Sequence, residues 1–433
     1  MDEHWHVCDW TSEEMKTILS SFKKNCTFED FNTQNGKTSG QPEAHRHHAS
    51  YMNYVVRLRL QTAPPLGFIV KMATPLMQCS HNPLPAAVER GAIEYKAYKF
   101  FEKLVRGCVP SPVFYDGQTR CLCTRELIDH RPLVNVVLQG GFSQLGAQSL
   151  GACLANIHSS THILNIGDEG LWDLEQQFPT FQSMIDIIRL FHYERPFDPS
   201  DPGKACDPAV TSLLTCVYQD STVLEAVQQV KRSFIKDKEC LIHGDLHIDS
   251  VVSQGDDFKL VDAEFARVGP CAYDAGLLLA TLLLAFYRLL HDHDRREVFS
   301  SSGEQTGKCE LPGSVQQRSL NSHAFSSVHL AHCVLNMCEA VLGEYLSIMT
   351  KNLKQDTRFS EKLLQDILAF TGIEMLGNII GPPHFAFMDG HAQAQVAAVT
   401  SAMTLLKRRH CLKSAAAVVE LLQPSDAWTL NGC

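Results

Sequence analysis

The sequence lacks a long basic run and any apolar run long enough to cross a bilayer. Its 433 residues carry a formal net charge of −10, which argues against nucleic acid as the main partner, because phosphate backbones bind surfaces rich in Lys and Arg. The most apolar stretch, residues 275–287, reads AGLLLATLLLAFY and is shorter than the ~20 residues that span a bilayer. We therefore predict a buried helix there and no membrane segment.

Export signals and zinc-type cysteine spacing are also missing. The first ten residues, MDEHWHVCDW, are acidic and polar, unlike a signal peptide, so we expect a cytoplasmic protein in which the 16 cysteines are free thiols. Cys121 and Cys123 have no second pair at the spacing of a zinc site, and we interpret them as strand residues. Residues 31–50 are polar and rich in Gly, Ser and His, which favours a loop.

Two acidic blocks lie close together in the second half of the chain. Residues 240–251 read CLIHGDLHIDSV and place Asp245 in a His-Gly-Asp turn, with Ser250 five residues later. After a turn at residues 254–257, a short predicted strand over residues 258–261 leads to Asp262 and Glu264. Transfer of a phosphoryl group needs a base that orients the acceptor hydroxyl, and carboxylates that hold Mg²⁺ on the ATP phosphates.

The order of the two blocks assigns these roles. We predict Asp245 as the catalytic residue, and Asp262 and Glu264, assisted by Ser250, as oxygen ligands of Mg²⁺. On a strand, Asp262 and Glu264 would point the same way, because residues two apart share a face. A single Gly-Asp turn is usually only a turn or a helix cap, but two such blocks in this order favour a kinase.

A cation for the ATP phosphates is expected in the first half of the chain. Residues 51–60 and 68–71 predict a β-hairpin that ends at Lys71, and residues 86–105 predict a helix that carries Glu94. An unpaired ammonium on an apolar strand would be costly, so Lys71 should have a partner. We predict that Lys71 and Glu94 form an ion pair in the nucleotide site, as kinases require.

The elements divide the chain into a β-rich front and a helical back. The length allows two lobes with sizeable cores, and the pattern predicts an α+β, bilobal protein-kinase-like fold. We assign residues 1–128 to an ATP-binding lobe and residues 129–433 to a mainly helical catalytic and substrate lobe. Residues 300–322, rich in Ser, Gly and Gln, predict a flexible surface loop.

The acidic blocks resemble those of the methylthioribose kinases, relatives of the aminoglycoside phosphotransferases and choline kinases. Most kinases have Asp-Phe-Gly at the metal site, whereas that family has Asp-x-Glu followed by Phe, which Asp262, Glu264 and Phe265 match. Ser250 also matches the family. The resemblance implies a kinase that uses ATP and Mg²⁺ to phosphorylate a small sugar or alcohol, most directly 5-methylthioribose. It also implies that the protein can form a homodimer.

The chain departs from the family around the phosphates and the acceptor. The family's Gly/Asn-rich phosphate loop corresponds to residues 49–54, where only Asn53 remains, and we assign Asn53 to the nucleotide. The family's tandem Arg falls on Gly377 and Asn378, which removes bidentate phosphate recognition. We predict that Gly377 and Asn378 line the acceptor side. Either Arg267 compensates there for the missing cations, or the acceptor has changed, in which case the double change Gly377→Arg, Asn378→Arg should improve turnover of methylthioribose.

Three functions are compatible with this pattern. The first is an active kinase of 5-methylthioribose, and the second is a kinase of another sugar or an amino alcohol. The third is a pseudokinase that retains nucleotide binding without turnover. The sequence favours an active enzyme, because a site released from catalysis tends to lose its costly charges, and the acidic and basic residues named above are retained.

Overall fold

The first half of the chain builds an antiparallel sheet. The computed structural model describes residues 5–9, 11–26, 43–47, 52–60, 66–77, 83–201, 206–292, 327–382 and 385–423. Within these ranges, six strands pair in the order β1-β2-β3-β4-β8-β7. Two short strands form a separate pair, β5 with β6. The eight strands are β1 (Trp5–Val7), β2 (Glu43–His47), β3 (Asn53–Leu60), β4 (Leu66–Ala73), β5 (Leu76–Met77), β6 (Leu84–Pro85), β7 (Pro112–Asp116) and β8 (Cys121–Arg125).

Alternation of side chains explains the central strands. In β3, Tyr54, Val56 and Leu58 are buried on one face, as the period of two requires. That face packs against helix α1 (Glu13–Asn25), whose Met15 and Ile18 are buried in the same cluster. Ser12 caps α1, since its Oγ accepts a hydrogen bond from the backbone N–H of Met15 at 3.2 Å.

The predicted loop over residues 31–50 is wrong in its second part. Residues 43–47 form β2, which pairs with both β1 and β3. The sequence EAHRH has no apolar alternation that would indicate a strand, and only Ala44 is buried. Backbone pairing with two neighbours therefore forms this strand without a local hydrophobic signal.

The second half of the chain is mainly helical. Helix α2 (Arg90–Leu104) follows the first strands, and the helices after β8 are α3 (Leu133–Leu138), α4 (Gln144–Thr161), α5 (Ile163–Gln177), α6 (Gln182–Ile188), α7 (Pro208–Gln219), α8 (Ser221–Lys236), α9 (Cys271–Leu290), α10 (Ser327–Asn352), α11 (Thr357–Ile380), α12 (Ala392–Arg408) and α13 (Ala415–Leu422). A π-helical turn, Arg189–Glu194, extends α6. A sheet-containing first part and a helical remainder confirm the predicted α+β class, while the domain limits stay a prediction.

Two helices form the centre of the helical part. Both α9 and α11 are long and apolar enough to cross a membrane, but 89% of the apolar window in each is buried inside the fold. The buried helix predicted over residues 275–287 is thus confirmed as part of α9. The loop predicted over residues 300–322 lies outside the described residues.

Short strands carry the two acidic blocks. Strand β10 (Cys240–Ile242) pairs with β13 (Arg267–Gly269), and β11 (Val251–Gln254) pairs with β12 (Asp257–Leu260) and with β9 (Arg131–Pro132). The first block forms the turn between β10 and β11, and the second forms the turn between β12 and β13. All strand pairs here are antiparallel, so the ladder fixes the ends of both turns.

Candidate active site

The predicted ion pair of Lys71 and Glu94 is present. Lys71 lies on β4, and its Nζ donates a hydrogen bond to Glu94 Oε1 on α2 at 2.6 Å. The same Nζ contacts the carboxylate of Asp262. Burial disfavours the ammonium, but the charges of Asp262 and Glu94 outweigh it and raise the pKa of Lys71. The cation that sequence reasoning assigned to the nucleotide therefore stays charged between two acids.

Tyr98 links this ion pair to the second acidic turn. Its hydroxyl donates to Glu94 Oε1 at 2.6 Å and accepts from the backbone N–H of Asp262 at 2.9 Å. Tyr98 lies four residues after Glu94 on α2, so both side chains occupy one face of the helix. Sequence reasoning missed Tyr98, although this spacing was a usable signal.

The local geometry predicted for Asp262 and Glu264 is wrong. Strand β12 ends at Leu260, Asp262 adopts the left-handed conformation with φ of 63°, and residues 263–265 form a 3₁₀ turn. A short polar side chain tolerates this backbone region better than most residues. The two carboxylates consequently differ, because Asp262 is half exposed and Glu264 is buried.

Glu264 is held by Asn53 of β3 and Arg90 of α2. Its Oε2 accepts from Arg90 Nε at 3.0 Å and from Asn53 Nδ2 at 2.9 Å. Burial raises the pKa of Glu264 to about 7, although the Arg90 guanidinium acts in the opposite direction. Arg90 is fully buried and also donates to the carbonyl oxygens of Thr74 and Ala87 at 2.8 and 2.7 Å. Sequence reasoning missed Arg90 and the contact of Asn53 with Glu264, and the predicted role of Asn53 toward the nucleotide stays a prediction.

The donor set around this turn suits a hard divalent cation. Asp262 and Glu264 supply carboxylate oxygens, which Mg²⁺ prefers, and the bonds of Glu264 to Arg90 and Asn53 use Oε2 only. Ser250 is buried, and its Oγ lies 3.1 Å from His247 Nε2. The structure thus joins Ser250 through His247 to the turn that carries Asp245, and the role of Ser250 as a metal ligand stays a prediction.

The turn that carries Asp245 is anchored by Asp274 on α9. Asp274 accepts the backbone N–H groups of His243 and Gly244 at 2.6 and 3.0 Å, and its Oδ2 lies 3.2 Å from His158 Nε2. Gly244 has φ of 83° and lies against the carbonyl of Phe265, where any Cβ would clash. One buried carboxylate therefore fixes the backbone on which Asp245 stands.

Histidines surround Asp245. His247 Nε2 lies 3.8 Å from Asp245 Oδ2, and the charge of His192 also acts on Asp245. Burial favours the neutral acid, but the histidines outweigh it and hold the pKa of Asp245 below its ordinary value. An ionised carboxylate can accept a hydroxyl proton, so the electrostatics suit the predicted role of Asp245 as the base.

The three predicted acceptor residues differ in their surroundings. Arg267 is buried, donates to the carbonyl oxygens of Val268 and Phe234 at 2.8 and 2.6 Å, and stacks on the Phe234 ring. Gly377 and Asn378 are buried on α11, and Asn378 Nδ2 donates to the carbonyl of Glu374 at 2.8 Å. Their roles toward an acceptor stay predictions.

Known proteins resemble this chain over most of its length. A model of the phosphotransferase enzyme family matches residues 43–298. Methylthioribose kinases of Bacillus cereus (strain ATCC 10987 / NRS 248) and Bacillus mycoides (strain KBAB4) are each 25% identical over 383 residues, which cover 88% of this chain and 90% of each relative. A crystal structure of choline kinase from Cryptosporidium parvum Iowa II matches with a TM-score of 0.45 and 12% identity, and covers 95% of this chain and 99% of that one.

Proposed function

The chain belongs to the phosphotransferase enzyme family, and from this premise we propose that it phosphorylates a hydroxyl group of 5-methylthioribose with ATP as the donor. The observation that carries the phosphoryl transfer is the direct contact of Lys71 with Asp262, next to the turn that holds an ionised Asp245, and the acceptor is taken from the relatives named methylthioribose kinase. A cation for phosphates and a base for a hydroxyl are the two groups that phosphoryl transfer requires of a protein.

The nucleotide and its metal would bind next to Lys71. Lys71 would hold the ATP phosphates, and Glu94 and Tyr98 keep its ammonium in place. Asp262 and the free oxygen of Glu264 would hold Mg²⁺, which when bound neutralises charge on the phosphates. Arg90 keeps Glu264 in position and leaves only one of its oxygens for the metal.

Asp245 would act on the acceptor hydroxyl. Its carboxylate orients the hydroxyl toward the phosphoryl group and accepts the proton as the new P–O bond forms and the bond to ADP breaks. The anchored Gly244 turn keeps the carboxylate in one place, which lowers the entropy cost of reaching the reacting geometry.

A second candidate is a kinase of another sugar or an amino alcohol. The observation in its favour is that Gly377 and Asn378, which stand where methylthioribose kinases carry a tandem Arg, are buried and uncharged. A less cationic acceptor side would accept a different alcohol.

An acceptor screen separates these candidates. We would incubate the purified protein with Mg-ATP and methylthioribose, ribose, choline or an aminoglycoside, and measure ADP release and the phosphate ester by ³¹P NMR. We expect the highest kcat/KM with methylthioribose, and no ester from Asp245→Asn. A preference for another acceptor would select the second candidate, and ATP binding without any ester would identify a pseudokinase.

A further inference from the structure

The π-helical turn Arg189–Glu194 carries His192 and lies beside the second acidic turn, since Phe191 belongs to an apolar cluster against which Phe265 packs. Such turns insert an extra residue into a helix and occur frequently at functional sites. His192 Nδ1 lies 2.6 Å from Glu374 Oε2, and Tyr193 donates its hydroxyl to Glu374 Oε1 at 3.0 Å. Glu374 lies on α11 and is completely buried. A carboxylate at this depth needs a cation or several donors, and His192 and Tyr193 supply them.

The hydrogen bond to Glu374 uses Nδ1 of His192, so Nε2 remains for another partner. A carboxylate accepts, so Nδ1 carries the proton that is shared with Glu374. The side chain of His192 is 13% exposed, whereas that of Glu374 is not exposed at all. The charges that act on His192 are those of Glu374 on α11 and of Asp245 and His247 on the catalytic turn. A cavity beside α6 is lined by Met184 and Ile185 of that helix and by Gly244 and Glu264 of the two acidic turns, so the segment that carries His192 borders the site of Asp245.

Helix α11 and the π turn fit together closely at Gly377. A Cβ at position 377 would lie 3.3 Å from the carbonyl oxygen of His192 and 3.8 Å from Pro196 Cγ. A side chain at position 377 would therefore press on the segment that carries His192. Gly377 and Glu374 lie on the same helix, and both contact this segment.

We propose that His192 binds the acceptor of this kinase, donating a hydrogen bond from Nε2 to an acceptor oxygen beside Asp245 while Glu374 holds the ring. This inference rests on the proposed phosphoryl transfer and identifies the residue that takes over where the tandem Arg is missing. Asp245 and His192 then have opposite tasks, because Asp245 accepts the proton of the reacting hydroxyl and His192 donates to a neighbouring oxygen.

The directions of the pKa shifts of His192 and Asp245 agree with these opposite tasks. Burial disfavours the imidazolium, but Glu374 and Asp245 outweigh it and raise the pKa of His192 above the ordinary 6.5, while the pKa of Asp245 is lowered. Two groups in one cleft whose pKa values move apart are typical of a paired acid and base.

Three variants test the proposal with methylthioribose as the probe. His192→Gln should raise the KM for methylthioribose at least ten-fold and leave the KM for ATP within two-fold. Glu374→Gln should weaken acceptor binding and move the alkaline limb of kcat/KM to lower pH, because His192 loses the charge that keeps it protonated. Thr371→Val, on the same helix α11, is the matched structural control. It removes a buried hydrogen bond to the carbonyl of Gly276 on α9 at 3.2 Å, so Tm should fall while KM stays within two-fold.

An activity-independent readout keeps this test separate from the proposed function. In histidine NMR titrations, the resonance missing from His192→Gln identifies His192, which should titrate above 6.5 in the wild type and lower in Glu374→Gln. If the wild type does not phosphorylate methylthioribose, the proposed acceptor fails, and the variants are assayed with the acceptor that the screen returns. An unchanged acceptor KM in His192→Gln, or a His192 that titrates below 6.5, would overturn the inference.

Discussion

The predicted role of Asp245 as a base depends on the charge of its carboxylate. Because histidines hold its pKa low, Asp245 is ionised at neutral pH and can accept a proton. We expect Asp245→Asn to lower kcat by roughly 10²-fold or more, with little change in nucleotide affinity. Product formation and calorimetric ATP binding measure the two effects, and Asp168→Asn, at an exposed position, is the control. An active Asn variant would remove Asp245 from the mechanism.

Lys71 is the residue whose loss should affect nucleotide most directly. A charged hydrogen bond to a phosphate is worth about 1.5–3 kcal/mol, so Lys71→Met should weaken ATP binding by roughly ten- to a hundred-fold. The variant also leaves Glu94 buried without its cation, so Tm should fall. Lys96→Met, on the exposed face of the same helix, should change neither. Equal ATP affinity in both variants would contradict the predicted role.

Glu264 should make stability depend on pH in an identifiable way. Its folded-state pKa, about 7, lies above the ordinary 4.5, so the folded protein binds more protons than the unfolded one between these values. This contribution to stability is present below pH 4.5 and is lost as the pH rises towards 7. The Tm of Glu264→Gln, measured relative to wild type, should therefore increase from pH 4.5 to 7. A difference that is constant with pH would show that Glu264 is not shifted.

The short motifs were sufficient to place Asp245 on one turn and Asp262 and Glu264 on the next, and the structure brings these two turns together where Gly244 lies against the carbonyl of Phe265. The catalytic and metal-binding roles of the three residues stay predictions. Arg90 and Glu374 carry no such signal, since each contacts a partner more than 170 residues away. A charged residue in a helix usually faces solvent, and only the folded structure shows that these two do not.

At the scale of elements, prediction succeeded where periodicity was strong. The Lys71 hairpin and the buried α9 follow from alternation and from a continuous apolar run. The turn after β12 was predicted as a strand, but the left-handed Asp262 ends the extended backbone. The π turn at residues 189–194 also had no sequence signal, because an extra residue in a helix depends on what packs against it.

The packing of α11 on the π turn revises one expectation from the sequence. We now expect Gly377→Arg to lower stability by about 1–3 kcal/mol, the usual cost of overpacking, because its Cβ would press on the carbonyl of His192. Acceptor binding should weaken as well, since His192 would move. Urea denaturation and the acceptor KM measure the two effects, and Gly343→Arg on α10, where a Cβ has more room, is the control. Improved turnover in Gly377→Arg would restore the original expectation.

At the scale of the whole molecule, charged contacts join the sheet-containing first part of the chain to the helical remainder at the candidate site itself. Lys71 contacts Asp262, and Arg90 and Asn53 both contact Glu264. The groups predicted to hold phosphates and metal are thus the groups that connect the two parts. Nucleotide binding and the contacts between the two parts of the chain should therefore depend on the same residues.

Arg90 tests this dependence. Removing one partner of a buried ion pair costs roughly 3–5 kcal/mol, so Arg90→Met should lower stability strongly and weaken Mg-ATP binding, because Glu264 loses its support. Arg59→Met breaks the pair with Glu126, in which the Arg59 side chain is 32% exposed and Glu126 is buried, and it should leave Mg-ATP binding unchanged. The double change Arg90→Met, Glu264→Gln removes both buried charges and should recover stability without recovering Mg-ATP affinity. For all three proteins, calorimetry measures Mg-ATP affinity and urea denaturation measures stability. Normal Mg-ATP affinity in Arg90→Met would show that nucleotide binding does not depend on the contacts between the two parts of the chain.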